Sequence, residues 1–138
     1  MKLLAMLMIA LCCSCGGASN VDLVVRDATV SANSTANTIE VMQSLALIVY
    51  RTEQELQVAG AKDKADAQAR VKVVRAMWVS IWDAFKAARA VYSNLVLVLN
   101  AKPLNTAAVQ TEVNALQQRV TELSALLATA RSRAGLVQ

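Results

Sequence analysis

Beyond residue 36, hydrophobic side chains recur every three or four residues, which is the period of an amphipathic helix. This pattern predicts three helices, at about residues 37–59, 63–100 and 105–133, in one domain that covers residues 37–134. Short connections between successive helices favour antiparallel neighbours. We therefore expect an all-α fold, either an up-down-up three-helix bundle or an elongated antiparallel helical coiled coil.

The ends of the first predicted helix carry their own signals. Asn37 and Glu40 have the spacing of an amino-terminal capping pair. Gly60 can adopt the left-handed conformation in which many helices end. Together they predict a helix that begins near Asn37 and ends at Gly60.

The second predicted helix carries most of the aromatic side chains of the chain on one face. The positions on that face are Trp78, Ile81, Trp82, Phe85, Tyr92 and Leu99. Large rings bury the most area per residue, so this face should form the thickest part of the core. The stretch at 95–99 consists only of Leu and Val, which predicts a helix covered by neighbours on more than one side.

The third predicted helix has a regular heptad pattern. Its apolar positions are Val109, Val113, Leu116, Val120, Leu123 and Leu127, at alternating spacings of four and three. Such a row can pack against helices of the same domain, or it can be a docking seam for another chain or a second copy of this one. The sequence leaves both interpretations open.

Basic residues follow one flank of the second predicted helix. They are Lys72, Arg75, Lys86 and Arg89. This flank could contact anionic headgroups or an acidic partner, or its long side chains could simply cover neighbouring aromatic rings. The formal net charge of the whole chain is only +4, which gives little support to nucleic-acid binding, and we expect none.

The residues on either side of the predicted domain are mostly small and polar. Residues 15–36 are rich in Gly, Ser, Asn and Thr and are interpreted mainly as a flexible tether. The alternative is an earlier helix, capped by Asn20, with Val21, Val24 and Val25 on one face. Residues 135–138 are expected to be a frayed tail.

The beginning of the chain has the pattern of a secretory signal. Lys2 precedes an unbroken apolar run from Leu3 to Leu11, and small residues follow. As a helix, this run would be roughly 14 Å long, about half of a hydrocarbon core, which is too short for a stable transmembrane span. We expect residues 1–14 to be removed as a signal peptide.

The residues Leu11-Cys12-Cys13-Ser14-Cys15-Gly16-Gly17 resemble the lipobox of bacterial lipoproteins. In that class a small residue, here Ser14, precedes the cysteine that is diacylated and then exposed by cleavage, here Cys15. The second mature residue would be Gly16 and not the aspartate of inner-membrane retention. The resemblance therefore implies lipidation at Cys15 and a location at the periplasmic face of the outer membrane. It covers the processing signal only and names no family for the mature part.

A second processing route remains open at the same junction. Cleavage after Ala18, with Gly16 two residues earlier, would release a soluble secreted binding or inhibitory protein. The small size of the chain also fits a phage-encoded envelope protein that acts in lysis or in exclusion of competitors.

The residue types argue against catalysis. The chain has no histidine, and its three cysteines, Cys12, Cys13 and Cys15, lie within four positions of each other near the start. Hydrolytic triads and tetrahedral zinc sites both lack their usual side chains, and no glycine-rich phosphate loop is present. We expect no catalytic residue, metal or cofactor. The expected role is that of a lipid-anchored structural or interaction protein, with an unknown protein partner or self-association through the helices.

Overall fold

The computed structural model describes residues 20–136, and over that range the chain is an all-α three-helix bundle, as the sequence predicts. The helices are α1 (Asn20–Ala59), α2 (Lys64–Leu99) and α3 (Thr106–Arg133). Trp78 of α2 and Arg133 of α3 both contact Glu53 of α1. Glu53 lies near the end of α1, Trp78 lies in the first half of α2, and Arg133 is the last residue of α3. Because these three residues meet, α2 runs antiparallel to α1 and α3 runs parallel to it, so the helices run up, down and up.

Helix α1 begins at Asn20, so two expectations about residues 20–40 are wrong. The described part of the predicted tether, residues 20–36, is helical, as the alternative interpretation had it, and Asn37 and Glu40 lie inside the helix instead of capping it. Thr29, Thr35 and Thr38 each donate a hydroxyl hydrogen bond to the carbonyl four residues earlier. These local bonds satisfy the polar side chains without interrupting the helix.

The face that α1 presents to the core explains why this polar stretch stays helical. Its positions alternate in spacing between four and three: Ala28, Ala32, Thr35, Ile39, Met42, Ala46, Val49 and Glu53. The row is a continuous heptad repeat whose first members are small. Tertiary packing along this row outweighs the modest helix propensity of Ser, Thr and Asn.

The connection between α1 and α2 is short and held by side chains. Gly60 follows the last residue of α1, but it does not adopt the positive φ that the sequence suggests; among the described glycines only Gly135 does. Asp63 caps α2 by accepting a hydrogen bond from the Asp66 backbone N–H at 2.9 Å. The Asp66 carboxylate in turn accepts from the Lys62 N–H and from Arg70 Nε, each at 3.0 Å.

The apolar end of α2 is less covered than its composition predicts. Leu95 is fully buried, but Leu97 is 69% exposed. The expectation of a helix covered on more than one side at 95–99 is therefore wrong. A bundle of three helices covers each helix over only part of its circumference, so consecutive apolar residues cannot all face the core.

Helix α3 is capped at both ends. The Asn105 side chain accepts a hydrogen bond from the Ala108 N–H at 3.1 Å. At the other end Gly135 adopts φ +67°, its N–H bonds the Ser132 carbonyl at 3.1 Å, and the Leu136 N–H bonds the Arg131 carbonyl at 2.9 Å. This is a Schellman motif. Gly135 and Leu136 thus terminate α3 in an ordered cap and are not frayed; residues 137–138 lie outside the described range.

Candidate functional site

The heptad row of α3 belongs to the core of the bundle. Val109, Val113, Leu116, Leu123 and Leu127 are buried, and Val120 is half-buried against them. The row packs against α1 and α2 of the same chain. With its side chains already covered, it is not available as the docking seam that the sequence left open.

The predicted aromatic face of α2 also lies in the core. Trp78, Ile81 and Phe85 are buried, whereas Trp82, Tyr92 and Leu99 are half-buried and packed against them. Tyr50 of α1 joins this group, with its ring centroid 5.2 Å from that of Trp78 and 6.1 Å from that of Trp82, both edge-on. Edge-on aromatic pairs contribute about 0.5–1.5 kcal/mol each beyond their area burial.

A buried carboxylate joins all three helices beside these rings. Glu53 is only 3% exposed. Its Oε2 accepts a hydrogen bond from Trp78 Nε1 at 2.7 Å, and its Oε1 accepts one from Arg133 Nε at 2.9 Å. We call Glu53, Trp78 and Arg133 the Glu53 cluster. Since an unpaired buried carboxylate is costly, these two donors make the cluster specific for this arrangement of helices.

The Glu53 cluster has the chemistry of a structural joint. Both carboxylate oxygens are occupied by donors of the protein itself. Within the part of the chain that the structure describes, every buried side-chain nitrogen or oxygen has a hydrogen-bond partner. Over the described residues the buried polar side chains therefore satisfy one another, as those of a structural core do.

The solvent-facing surface between α1 and α2 contains two open cavities. One, of about 320 Å³, is lined by residues that include Ile39, Glu40, Arg89 and Tyr92. The other, of about 420 Å³, is lined by Arg51, Gln54, Glu55, Val58, Ala59, Val71 and Arg75. We call the surface between α1 and α2 that joins them the α1–α2 groove.

The two cavities lie along the same side of the helix pair. On α1 the row that joins them has helical spacing: residues 36, 40, 43, 47, 51, 54 and 58. Leu47, in the middle of the row, and Val58, at its end, are both about half exposed. The groove therefore presents exposed apolar side chains of α1 at these two positions.

The predicted basic surface borders this groove. Lys72, Arg75, Lys86 and Arg89 are all exposed. Arg75 and Arg89 line the two cavities, Arg89 donates to the Gln43 side chain of α1, and Lys86 pairs with Asp83 at 3.0 Å. Arg51 of α1, which the sequence analysis did not single out, adds a further cation. The groove combines cations and apolar side chains, although Glu40 and Glu55 also line it.

The other predicted features concern the membrane and metals. Residues 1–14 and the predicted lipidation site, Cys15, lie outside the described residues. Over residues 20–136 no helix is both long enough and apolar enough to cross a bilayer. In that range no group of three or more His, Cys, Asp or Glu side chains is arranged to hold a metal ion.

Comparison with known proteins adds no further information about this site. No family model, no curated protein and no solved structure matches the chain.

Sequence reasoning missed Glu53 and Arg133, although a signal for the first was present. Glu53 falls four residues after Val49 in the core-facing row of α1, at a position that an amphipathic helix normally gives to an apolar residue. A carboxylate there requires a buried donor. No spacing rule connects it to Arg133, which is 80 residues away in the chain.

Proposed function

We propose that this chain is a non-enzymatic, lipid-anchored protein of a bacterial cell envelope that acts by binding another protein or a second copy of itself. Acyl chains on Cys15 would hold the bundle at a membrane, at the periplasmic face of the outer membrane where the host has one. The α1–α2 groove would be the binding surface.

The support for the anchor is the pairing of a lipobox-like sequence with a helix that starts close behind it. Ser14 and Cys15 fit the processing signal, and α1 begins five residues after Cys15, at Asn20. Each buried methylene contributes about 0.8 kcal/mol, so two or three acyl chains on one cysteine hold a protein durably without a transmembrane helix.

The interaction role depends on one observation above all, the exposed apolar and basic character of the α1–α2 groove. Leu47 and Val58 are solvent-exposed in a row that also holds Arg51. Arg75 and Arg89 border the same groove from α2. A surface that alternates apolar contacts with arginines is typical of sites where one protein receives a helix or extended segment of another.

The anchor is tested by the intact mass of the protein isolated from its natural envelope. We expect a chain that begins at Cys15 and carries the added mass of two or three acyl groups. The Cys15→Ala variant should have no acyl mass. A chain that begins at Ser19 without acyl groups would instead establish cleavage after Ala18 and a soluble secreted protein, and would refute the anchor.

The groove is tested by a photo-crosslinking amino acid placed in the native envelope at Leu47. The matched control is Val41, which also lies on α1 and is exposed but does not line the groove. We expect a discrete adduct from position 47 and none from position 41. An adduct with the mass of two copies would identify self-association. Equal labelling at the two positions, or none at either, would refute the groove as the binding surface.

A further inference from the structure

The amino-terminal end of α1 extends beyond the two helices that cover the rest of it. Trp78 lies opposite Glu53, and Arg89 lies opposite Gln43, so the antiparallel α2 ends at Leu99 about level with Ala32. Arg133 lies opposite Glu53 in the parallel pair, which puts the start of α3, Thr106, about level with Arg26. The first six residues of α1, roughly 9 Å of helix, therefore project past both neighbours.

The core-facing row of α1 continues into this projecting end. Ala28 is buried, and the heptad spacing leads back from it to Val25 and Val21, with Val24 beside them. Val25 is half-buried, whereas Val21 is 51% exposed and Val24 is also exposed. The side that forms the core further along the helix is thus apolar here too, but no other helix covers it.

The remaining side of the projecting end carries Asp22 and Leu23, and Leu23 is 43% exposed. Arg26 and Asp27, which pair at 3.8 Å, follow directly after the projecting residues. The end is therefore a short, mostly apolar helix with three valines on one side and a single charge, Asp22, beside Leu23 on the other. Helices of this kind bind at the boundary between headgroups and acyl chains, with the apolar side buried by about 5–10 Å.

The predicted lipidation site lies close to this projecting end in the sequence, which points to the membrane as the partner of its exposed valines. Cys15 precedes Asn20 by five residues, and covalent geometry limits that separation to roughly 18 Å. A diacylated Cys15 lies at the membrane surface, so Val21 and Val24 are confined to its immediate neighbourhood. We propose that residues 20–25 of α1 insert their valine side among the lipid headgroups and so orient the bundle on the membrane. This inference rests on the lipid anchor of the proposed function.

The proposal is tested with an environment-sensitive fluorophore at Val21→Cys in the full protein on phosphatidylethanolamine and phosphatidylglycerol vesicles. Val73→Cys is the matched control, because Val73 has the same residue type and is 57% exposed, but lies near the start of α2, at the opposite end of the bundle and outside the α1–α2 groove. We expect the label at position 21 to shift its emission to shorter wavelength and to be quenched by nitroxide-bearing lipids. The label at position 73 should do neither.

A second change removes the apolar side without touching the core. Val24→Asp, at an exposed position, should abolish both the emission shift and the quenching at position 21 while the urea unfolding curve stays unchanged. Persistence of the shift in that variant would show that the valine side is not what contacts the lipid, and would overturn the inference.

The outcomes separate this inference from the anchor. Acyl mass on Cys15 with a water-exposed label at position 21 overturns the inference and leaves the anchor intact. Absence of acyl mass refutes the anchor, and the emission of the label at position 21 then tests the inference without it. A shifted and quenched emission would support the valine side as a lipid-binding element. An emission typical of water would overturn the inference. Disulfide crosslinking between two copies through Val21→Cys in the absence of vesicles would show that a second copy covers this side, which also overturns the inference.

Discussion

The two ends of the bundle are built differently. At the Glu53 end, large aromatic rings and the hydrogen bonds of the Glu53 cluster join α1, α2 and α3. At the amino-terminal end, the buried residues of α1 are Ala28, Ala32 and Thr35, and the helix then extends beyond its neighbours. Specific polar contacts and large rings define the first end, whereas small buried side chains define the second.

This difference predicts an uneven distribution of stability along the bundle. Large rings bury more apolar area than alanines, and a satisfied buried carboxylate disfavours shifted helix registers. The amino-terminal end buries less per residue, so local opening should begin there.

The largest effect is expected at Trp78. Trp78→Ala removes the central ring and leaves Glu53 Oε2 without its donor, so we expect the free energy of unfolding to fall by about 4 kcal/mol. Trp78→Phe keeps much of the ring volume and loses the donor, and should cost about 2 kcal/mol. Urea denaturation followed by circular dichroism measures both. Equal losses for the two variants would mean that the hydrogen bond, and not the packing, dominates this end.

A smaller effect is expected from enlarging a residue at the other end. Ala32 is only 3% exposed, and Ala32→Leu should destabilise the bundle by about 2 kcal/mol through overpacking. The matched control is Ala59→Leu, at an exposed position near the end of the same helix, with an expected change within about 0.5 kcal/mol. A neutral or stabilising Ala32→Leu would contradict close packing at the amino-terminal end.

Removal of the cation from the Glu53 cluster should have a moderate effect. Arg133→Gln removes the charged hydrogen bond to Glu53 Oε1, and because the Arg133 side chain is about a third exposed, we expect a loss of about 1.5 kcal/mol. Arg131→Gln, two residues earlier on the same helix, should change stability by less than about 0.5 kcal/mol. If both variants behave alike, the Glu53–Arg133 contact does not stabilise the bundle.

The smallest effect is expected at Asp66, in the first turn of α2 at the Glu53 end. Hydrogen bonds from the Arg70 side chain and from the Lys62 N–H hold the pKa of Asp66 below its usual range. Because the unfolded chain then binds the proton more readily, this contribution to stability is complete above the ordinary aspartate pKa of about 3.9 and is lost as the pH falls through the lower folded value. The free energies of unfolding of the wild type and of Arg70→Gln, measured with urea, should therefore become equal as the pH is lowered into the acid range. A difference independent of pH would contradict this origin.

Much of the fold could be predicted from local signals. Asp63 and Asn105 mark the beginnings of α2 and α3 because a helix start needs an acceptor for its free N–H groups, and that need is met within three residues. The heptad row of α3 likewise predicts its buried positions. Residues 20–36 carry a weaker helical signal, because their small polar side chains resemble those of a tether and the apolar positions of their core-facing row, such as Ala28 and Ala32, are small.

The candidate sites also differ in how far local sequence signals reveal them. The basic flank of α2 is a property of one helix, and periodicity alone identifies Lys72, Arg75, Lys86 and Arg89. The groove that it borders needs Arg51 and Leu47 from α1 as well, and the Glu53 cluster needs one side chain from each helix. No regularity of spacing within a single helix can indicate such combinations.

The amino-acid sequence by itself determined the helical class, where α2 and α3 begin, and which side of α2 and of α3 is apolar. These follow from hydrogen bonds and periodicities that act within a few residues. Only the tertiary structure decided that the α3 row is covered by its own chain, that Glu53 has two donors, and that the valines at the start of α1 have no helix beside them. Each of these depends on where helices distant in the chain begin and end relative to one another, and that register is set by packing of the whole bundle.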